Sequence, residues 1–160
     1  FYRFLRLVPD DGRVMHAVSV PLSCMTEAAD QEAAAILGIA VGDPVIHVER
    51  LSRFNGENVV LDRIYLLADL FAGLTLERLN GGERSLYSLF ENEFGVRMIR
   101  AEERLRAVAA DEYSGGLLGV PVGAPLLLVE RIAHTYGDKA VEWRRGLYCT
   151  TRHHYRNDLG

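Results

Sequence analysis

The sequence has 160 residues, of which 49% are hydrophobic and 25% are charged, and its formal net charge is −4. This length suits one domain with its own buried core, and no apolar run approaches the roughly 18 residues that a membrane span needs. The negative balance also argues against a basic stripe for nucleic acid. We therefore expect a soluble domain that touches neither membrane nor DNA directly.

The first half of the chain predicts strands, a helix and a hairpin. Residues 1–8 and 13–23 are expected strands on either side of a turn at residues 10–12. Residues 27–37 are alanine-rich and predict a helix that ends at Gly38. Residues 45–54 and 58–67 flank Asn55 and Gly56, and this Asn-Gly pair between β-branched residues predicts a hairpin.

The second half predicts a similar order of elements. Residues 68–80 are expected to form a loop, and a helix is expected from about residue 84 to residue 94. A strand over residues 96–108 and a short helix over residues 111–118 lead into a second hairpin, residues 126–135 and 140–148. Helices between strands in this order predict an α+β fold with a largely antiparallel sheet.

An internal repeat underlies this order, because residues 36–66 resemble residues 117–147 in an ungapped alignment. The pattern Leu-Gly-x-x-x-Gly-x-Pro occurs at residues 37–44 and 118–125, and Val-Glu-Arg occurs at 48–50 and 129–131. Beyond the turns, the alignment matches Val60 with Val141 and Arg63 with Arg144. Two copies are too few for a solenoid, so we expect two pseudo-symmetric hairpins with either a cleft or a filled core between the halves.

These motifs, taken in their order and spacing, resemble the UTRA domain, the effector-binding domain of HutC-subfamily regulators in the GntR superfamily. Ser-Leu-Tyr at residues 85–87 and Val-Glu at residues 141–142 belong to the same pattern. The resemblance spans residues 1–160 as one domain. It implies a chorismate-lyase-like fold whose covering helices enclose a small-molecule pocket.

The resemblance also implies partners. It predicts a cytoplasmic homodimer, a small polar or anionic effector, and DNA binding only through an upstream winged helix-turn-helix domain that residues 1–160 do not include. The chain starts without Met inside an expected strand, so we expect it to be part of a longer protein.

Two strand residues are candidate ligands for an anionic group. Arg50 matches the first arginine of a family Arg-Leu-Arg motif, although an ion pair with a carboxylate such as Glu103 would also explain it. Ser52 replaces the second arginine and lies on the same strand face. Arg53 is expected on the opposite face and does not substitute for it.

The remaining candidates come from other elements. Asp62 stands where relatives carry a ligand-contacting glutamate, but a pair with a nearby arginine is equally open. Glu142 and Tyr148 match pocket residues of the second hairpin. Ser85 and Tyr87 match the Ser-Leu-Tyr helix start, which favours an anion, although Ser85 also suits a plain helix cap.

Three functions are compatible with these residues: a ligand-sensing regulatory domain, an enzyme of the chorismate-lyase type, and a dimerisation module with a filled core. The whole-chain resemblance favours the first, and we predict no enzymatic activity. No cofactor or metal is expected, because the adjacent His153 and His154 point to opposite sides of a strand and the two cysteines lack ligand spacing.

Overall fold

The computed structural model describes residues 6–13, 16–80 and 85–159. Eight strands and four α-helices are formed within these residues, and a short 3-10 helix over Tyr136–Asp138 joins the last hairpin. In chain order they are β1 Leu7–Pro9, β2 Ala17–Ala28, α1 Gln31–Leu37, β3 Pro44–Phe54, β4 Glu57–Leu67, α2 Leu76–Leu79, α3 Leu86–Phe94, β5 Arg100–Ala109, α4 Glu112–Leu118, β6 Pro125–Thr135, β7 Lys139–Tyr148 and β8 His153–Tyr155.

Six strands form one sheet in the order β2-β3-β4-β7-β6-β5, and every neighbouring pair is antiparallel. This confirms the predicted α+β fold. β1 does not pair with β2 across the turn at residues 10–12; it pairs with β8 in a separate two-stranded ribbon. The first five residues of the strand predicted over residues 1–8 lie outside the described part of the chain.

Helix α1 begins later than predicted. The carboxylate of Asp30 accepts a hydrogen bond of 2.8 Å from the backbone N–H of Ala33, which satisfies one of the unpaired donors at a helix start. Glu27 and Ala28, predicted as helical, still pair with β3. The helix ends as expected at Gly38, whose φ of 68° is left-handed and favours glycine.

Two further boundaries differ from the predictions. β5 starts at Arg100 instead of residue 96, because Val96 and Met98 are buried in the core before the strand begins. The predicted loop over residues 68–80 contains the single-turn helix α2, capped by the side chain of Thr75.

The repeat is visible as two equal halves of the sheet. The segment β2-α1-β3-β4 forms one half, and β5-α4-β6-β7 forms the other, with β4 and β7 adjacent at the centre. α1 packs on β7 and α4 packs on β4, so each helix crosses to the other half. The predicted pseudo-twofold arrangement of hairpins is therefore present.

The ungapped alignment is wrong beyond the turns. Asn55 and Gly56 connect the first hairpin, whereas residues 136–138 connect the second, which is one residue longer. Arg50 pairs across strands with Asp62, and the equivalent Arg131 pairs with Arg144. Asp62 and Arg144 therefore occupy equivalent places.

The same one-residue shift applies to the neighbouring positions of β4 and β7. Val60 corresponds to Glu142, because each pairs with an equivalent position of β3 or β6. Val59 and Val141 are both skipped by the strand pairing, so equivalent bulges follow the two turns.

The two faces of the sheet carry different helices. The face that bears Arg50, Asp62 and Glu142, called the first face below, is covered by α2 and α3. The opposite or second face is covered by α1 and α4, which bury apolar residues such as Val45 and Leu61. The candidate residues of β3, β4 and β7 thus gather under α3.

Candidate functional site

Arg50 and Asp62 form an ion pair on the first face. They are cross-strand neighbours of β3 and β4, and Arg50 Nε donates to Asp62 Oδ2 over 3.2 Å. The side chains are only 15% and 4% exposed. Burial lowers the pKa of Arg50, and nearby Arg144 acts in the same direction while Asp62 opposes it. The ion pair that the sequence left open for Arg50 is therefore formed, with Asp62 as the partner in place of Glu103. Ligand contact by Arg50 or Asp62 stays a prediction.

Glu142 is the centre of a buried polar cluster. Its side chain is fully buried and accepts hydrogen bonds from the Tyr87 hydroxyl at 2.6 Å and from Arg144 Nη2 at 2.8 Å. The Arg144 guanidinium also lies 5.1 Å from the centre of the Tyr87 ring. Burial raises the pKa of Tyr87 to about 12, so its hydroxyl donates at neutral pH.

Arg131 extends this cluster towards β5. Its guanidinium pairs with Glu103 at 2.8 Å and donates to the Tyr87 hydroxyl at 3.5 Å. Tyr155 of β8 donates a hydrogen bond to the same carboxylate of Glu103. Arg50, Arg131 and Arg144 are therefore each matched by a carboxylate, which leaves the buried face close to electrically neutral.

Sequence reasoning missed Arg131 and Arg144 as members of this cluster. Arg131 aligns with Arg50 in the repeat, and that equivalence was a usable signal. The ungapped alignment made Arg144 the repeat equivalent of Arg63, which lies on the second face. Only the longer second turn brings Arg144 to the first face.

Ser52 and Tyr148 flank the ion pair of Arg50. Both are on the first face, in one row with Val60 across β3, β4 and β7. Burial raises the pKa of Tyr148 to about 12, and the charge of Asp62 adds to the shift. Ser52 thus lies on the face of Arg50 and Tyr148 on the face of Glu142, as the sequence predicted, and ligand contact by either stays a prediction.

Gly146 makes the approach of Tyr148 to Asp62 possible. A Cβ at this position would lie 2.6 Å from Tyr148 Cε1 and 2.7 Å from Asp62 Oδ1. These distances are far shorter than ordinary contacts, so a larger residue would displace one of the two side chains. Sequence reasoning gave this glycine no role.

Ser85 caps α3 and lines a cleft. Its hydroxyl accepts from the backbone N–H of Ser88 at 3.1 Å, which confirms the capping role that the sequence left open. The cleft beside it, between α3 and the sheet, has a volume of about 30 Å³ and is lined also by Arg50 and Arg78. Arg78 was not predicted; it donates to Glu93 at 2.8 Å.

Two polar atoms of the first face have no hydrogen-bond partner among the described residues. Asp62 Oδ1 is an acceptor and Arg144 Nε is a donor, and both are inaccessible to solvent. Unpaired buried polar atoms are costly and are rare in folded proteins. A molecule bound here would need both to donate and to accept.

Other features lie away from this cluster. A hollow of about 370 Å³ near Val59 and Cys149 contains none of the predicted ligand residues. His153 is buried, whereas His154 is within 2.7 Å of Asp10, so the two rings point apart as predicted. Within the described part of the chain, no three His, Cys, Asp or Glu residues are grouped as for a metal ion, and no helix is long and apolar enough to cross a membrane.

The six-stranded antiparallel sheet with its covering helices has the chorismate-lyase-like fold that is found in ligand-binding domains of GntR-family regulators. The sequence model of the UTRA domain matches residues 13–154. The chain belongs to the UTRA domain family.

Among solved structures, the ligand-binding domain of a GntR-family transcriptional regulator from Bordetella bronchiseptica is 48% identical, with a TM-score of 0.95 over 99% of both chains. PhnF from Mycobacterium smegmatis is 26% identical with a TM-score of 0.80, over 91% of this chain and 64% of that one. Both similarities agree with the predicted fold.

Among curated proteins, the transcriptional repressor PhnF of Mycolicibacterium smegmatis is 32% identical over 75% of this chain and 48% of its own length. PhnF of Escherichia coli is 32% identical over 86% of this chain and 55% of its own. The chain thus spans about half the length of these relatives. Both are named as transcriptional regulators, which supports the regulatory hypothesis over the lyase hypothesis.

Proposed function

We propose that this chain is the effector-binding domain of a GntR-type transcription regulator of the HutC subfamily. The observation that carries the proposal is the buried polar cluster around Glu142 in a UTRA domain, with one donor and one acceptor that lack partners among the described residues. Such groups are the polar contacts by which a mostly apolar pocket selects a small ligand.

The effector that fits this cluster carries one anionic group and several hydroxyl or amino groups. Arg50, Ser52 and Ser85 supply hydrogen-bond donors and Asp62 supplies an acceptor, while Tyr87 donates its hydroxyl proton to Glu142 and so holds that carboxylate in place. Arg50, Arg131 and Arg144 on this face each already have a carboxylate partner. A doubly charged phosphate is best held by two uncompensated guanidinium groups, so this arrangement favours a singly charged or zwitterionic ligand.

Effector entry is coupled to movement of the covering helices. The cleft beside Arg50 is about 30 Å³, far below the roughly 300–1,000 Å³ of small-molecule pockets. A ligand that reaches Asp62 must therefore move α2 or α3 away from the sheet. Effector binding then favours the arrangement with the helix moved away over the arrangement with the helix closed on the sheet. Such a ligand-dependent shift between two arrangements is the requirement for allosteric control.

The domains that respond to this movement are proposed to lie outside residues 1–160. We propose a cytoplasmic homodimer in which the effector changes the spacing of two upstream winged helix-turn-helix domains, and DNA is contacted only by those domains. The net charge of −4 gives the 160-residue chain little sequence-independent affinity for phosphate backbones.

The test is a thermal-shift screen of carboxylates, amino-acid derivatives and phosphosugars, followed by calorimetry with the compound that binds. Arg50→Ala should weaken binding by about 1.5–3 kcal/mol, the value of a charge-assisted hydrogen bond. Arg97→Ala is the matched control, because the Arg97 side chain is 60% exposed and its ion-pair partner is the exposed Glu91. Equal affinity of the Arg50 variant and the wild type would refute the site.

A further inference from the structure

A pair of arginines lies at the centre of the second face. Arg63 of β4 and Arg145 of β7 are directly opposite each other across the two central strands, at the pseudo-twofold axis. Both side chains are half-buried on the face that α1 and α4 cover. Like charges at opposed strand positions repel and destabilise a sheet.

Neither guanidinium has a carboxylate within ion-pair distance in the described ranges. The two neighbouring acids of the same row are engaged elsewhere, because Glu49 accepts from Tyr113 and Glu130 faces Arg104 at 3.8 Å. Arg145 Nε is buried with no hydrogen-bond partner among the described residues. Arg145 therefore has a buried donor without an acceptor, while the Arg63 guanidinium lies 5.8 Å from the centre of the Tyr113 ring and has no carboxylate partner in the same residues.

Two stacked aromatic side chains, Trp143 and Tyr65, lie beside Arg145. Trp143 is 2% exposed, and its ring centre lies 5.8 Å from the Arg145 guanidinium and 4.9 Å from the centre of Tyr65. Its Nε1, another donor, also has no partner in the described part of the chain. These two buried donors belong to neighbouring side chains of one strand face, and an acceptor-rich group would satisfy both.

We infer that the second face holds a binding site for a small oxyanion, a carboxylate or a phosphate, whose oxygen atoms bridge Arg63 and Arg145. Planar guanidinium groups bind such anions with paired, charge-assisted hydrogen bonds. Glu49 and Glu130 limit the positive region to the middle of the row, which favours a small anion over an extended acidic surface. The site is separate from the Glu142 cluster, since it lies on the other side of the sheet.

The chain contains a single tryptophan, so Trp143 fluorescence reports on this site. The protein is titrated with inorganic phosphate while sodium chloride keeps the ionic strength constant. We expect a saturable fluorescence change. Arg145→Gln and Arg63→Gln should each weaken phosphate affinity about tenfold or more, as the loss of a charge-assisted hydrogen bond predicts. Arg97→Gln, an exposed control, should leave it unchanged.

Thermal denaturation provides an independent readout. At one phosphate concentration, the Tm should rise clearly for the wild type and for Arg97→Gln, and much less for Arg63→Gln. In chloride alone, Arg63→Gln should be about as stable as the wild type, because the lost repulsion from Arg145 offsets the lost contact with the Tyr113 ring.

Three results would overturn the inference. The first is the absence of a saturable response to phosphate. The second is a response that survives in Arg145→Gln but disappears in Arg50→Gln, which would place the anion on the first face. The third is light scattering that shows a dimer of the wild type and a monomer of Arg145→Gln, which would assign the arginines to a contact between copies.

Discussion

Replacing Glu142 by Gln tests the central claim that this carboxylate organises the buried polar cluster. Glutamine has one acceptor oxygen, so its amide nitrogen must face either the Tyr87 hydroxyl, now 2.6 Å from Oε1, or Arg144 Nη2, now 2.8 Å from Oε2. The charge of Arg144 also loses its buried partner. We expect a loss of about 3 kcal/mol, between the cost of one charged hydrogen bond and that of a broken buried ion pair.

Urea denaturation of the wild type and the Glu142→Gln variant measures this loss, and the Tm should fall by about 6–12 °C for a domain of this size. Glu91→Gln is the control, because the Glu91 side chain is 55% exposed and its change should stay within about 0.5 kcal/mol. A double-mutant cycle with Tyr87→Phe should give a coupling of about 0.5–3 kcal/mol. If Glu142→Gln is as stable as Glu91→Gln, the cluster does not hold the fold together as described.

Three other predictions concern separate parts of the chain. Gly146→Ala should cost about 1–3 kcal/mol in urea, because its Cβ would meet Tyr148 and Asp62; Gly116→Ala, with open space around its Cβ, should cost nothing. Burial lowers the pKa of His153 below its usual 6.5, so its contribution to stability is present above pH 6.5 and is lost as the pH falls through the folded-state pKa. Melting at pH 7.5 and 5.0 should therefore show a smaller decline for His153→Gln than for the wild type. In a gel shift on the parent regulator's promoter, the isolated chain should give no sequence-specific retardation, whereas the parent should; retardation by the chain alone would contradict the proposed division of labour.

Much of the fold could be predicted because its signals are local. The Asn-Gly turn, the alternation of apolar residues and the glycines that end helices each depend on a few neighbouring residues. Helix α1 shows the limit of this reasoning, since Glu27 and Ala28 have good helical propensity but pair with β3. Tertiary pairing outweighed the local preference there.

The candidate site was harder to predict because it depends on register. Arg50, Asp62, Tyr87 and Glu142 were chosen by resemblance, and the structure brings them to one face. The partners that balance their charges, such as Arg144, were missed because a single additional residue in the second turn changes which side chains share a face. No residue-by-residue comparison within the chain reveals such a shift without knowledge of the strand pairing.

The additional residue in the second turn also determines how many effector molecules one chain can bind. A duplicated domain with two identical halves would offer two equal half-sites, each with its own copy of every contact. Here Asp62 of one half stands where the other half has Arg144, so the axis relates an acid to a base. The halves are complementary and not interchangeable, and a ligand that uses both can lie in one orientation only. We therefore expect a stoichiometry of one effector per chain on the first face, which the molar ratio from calorimetry will measure directly.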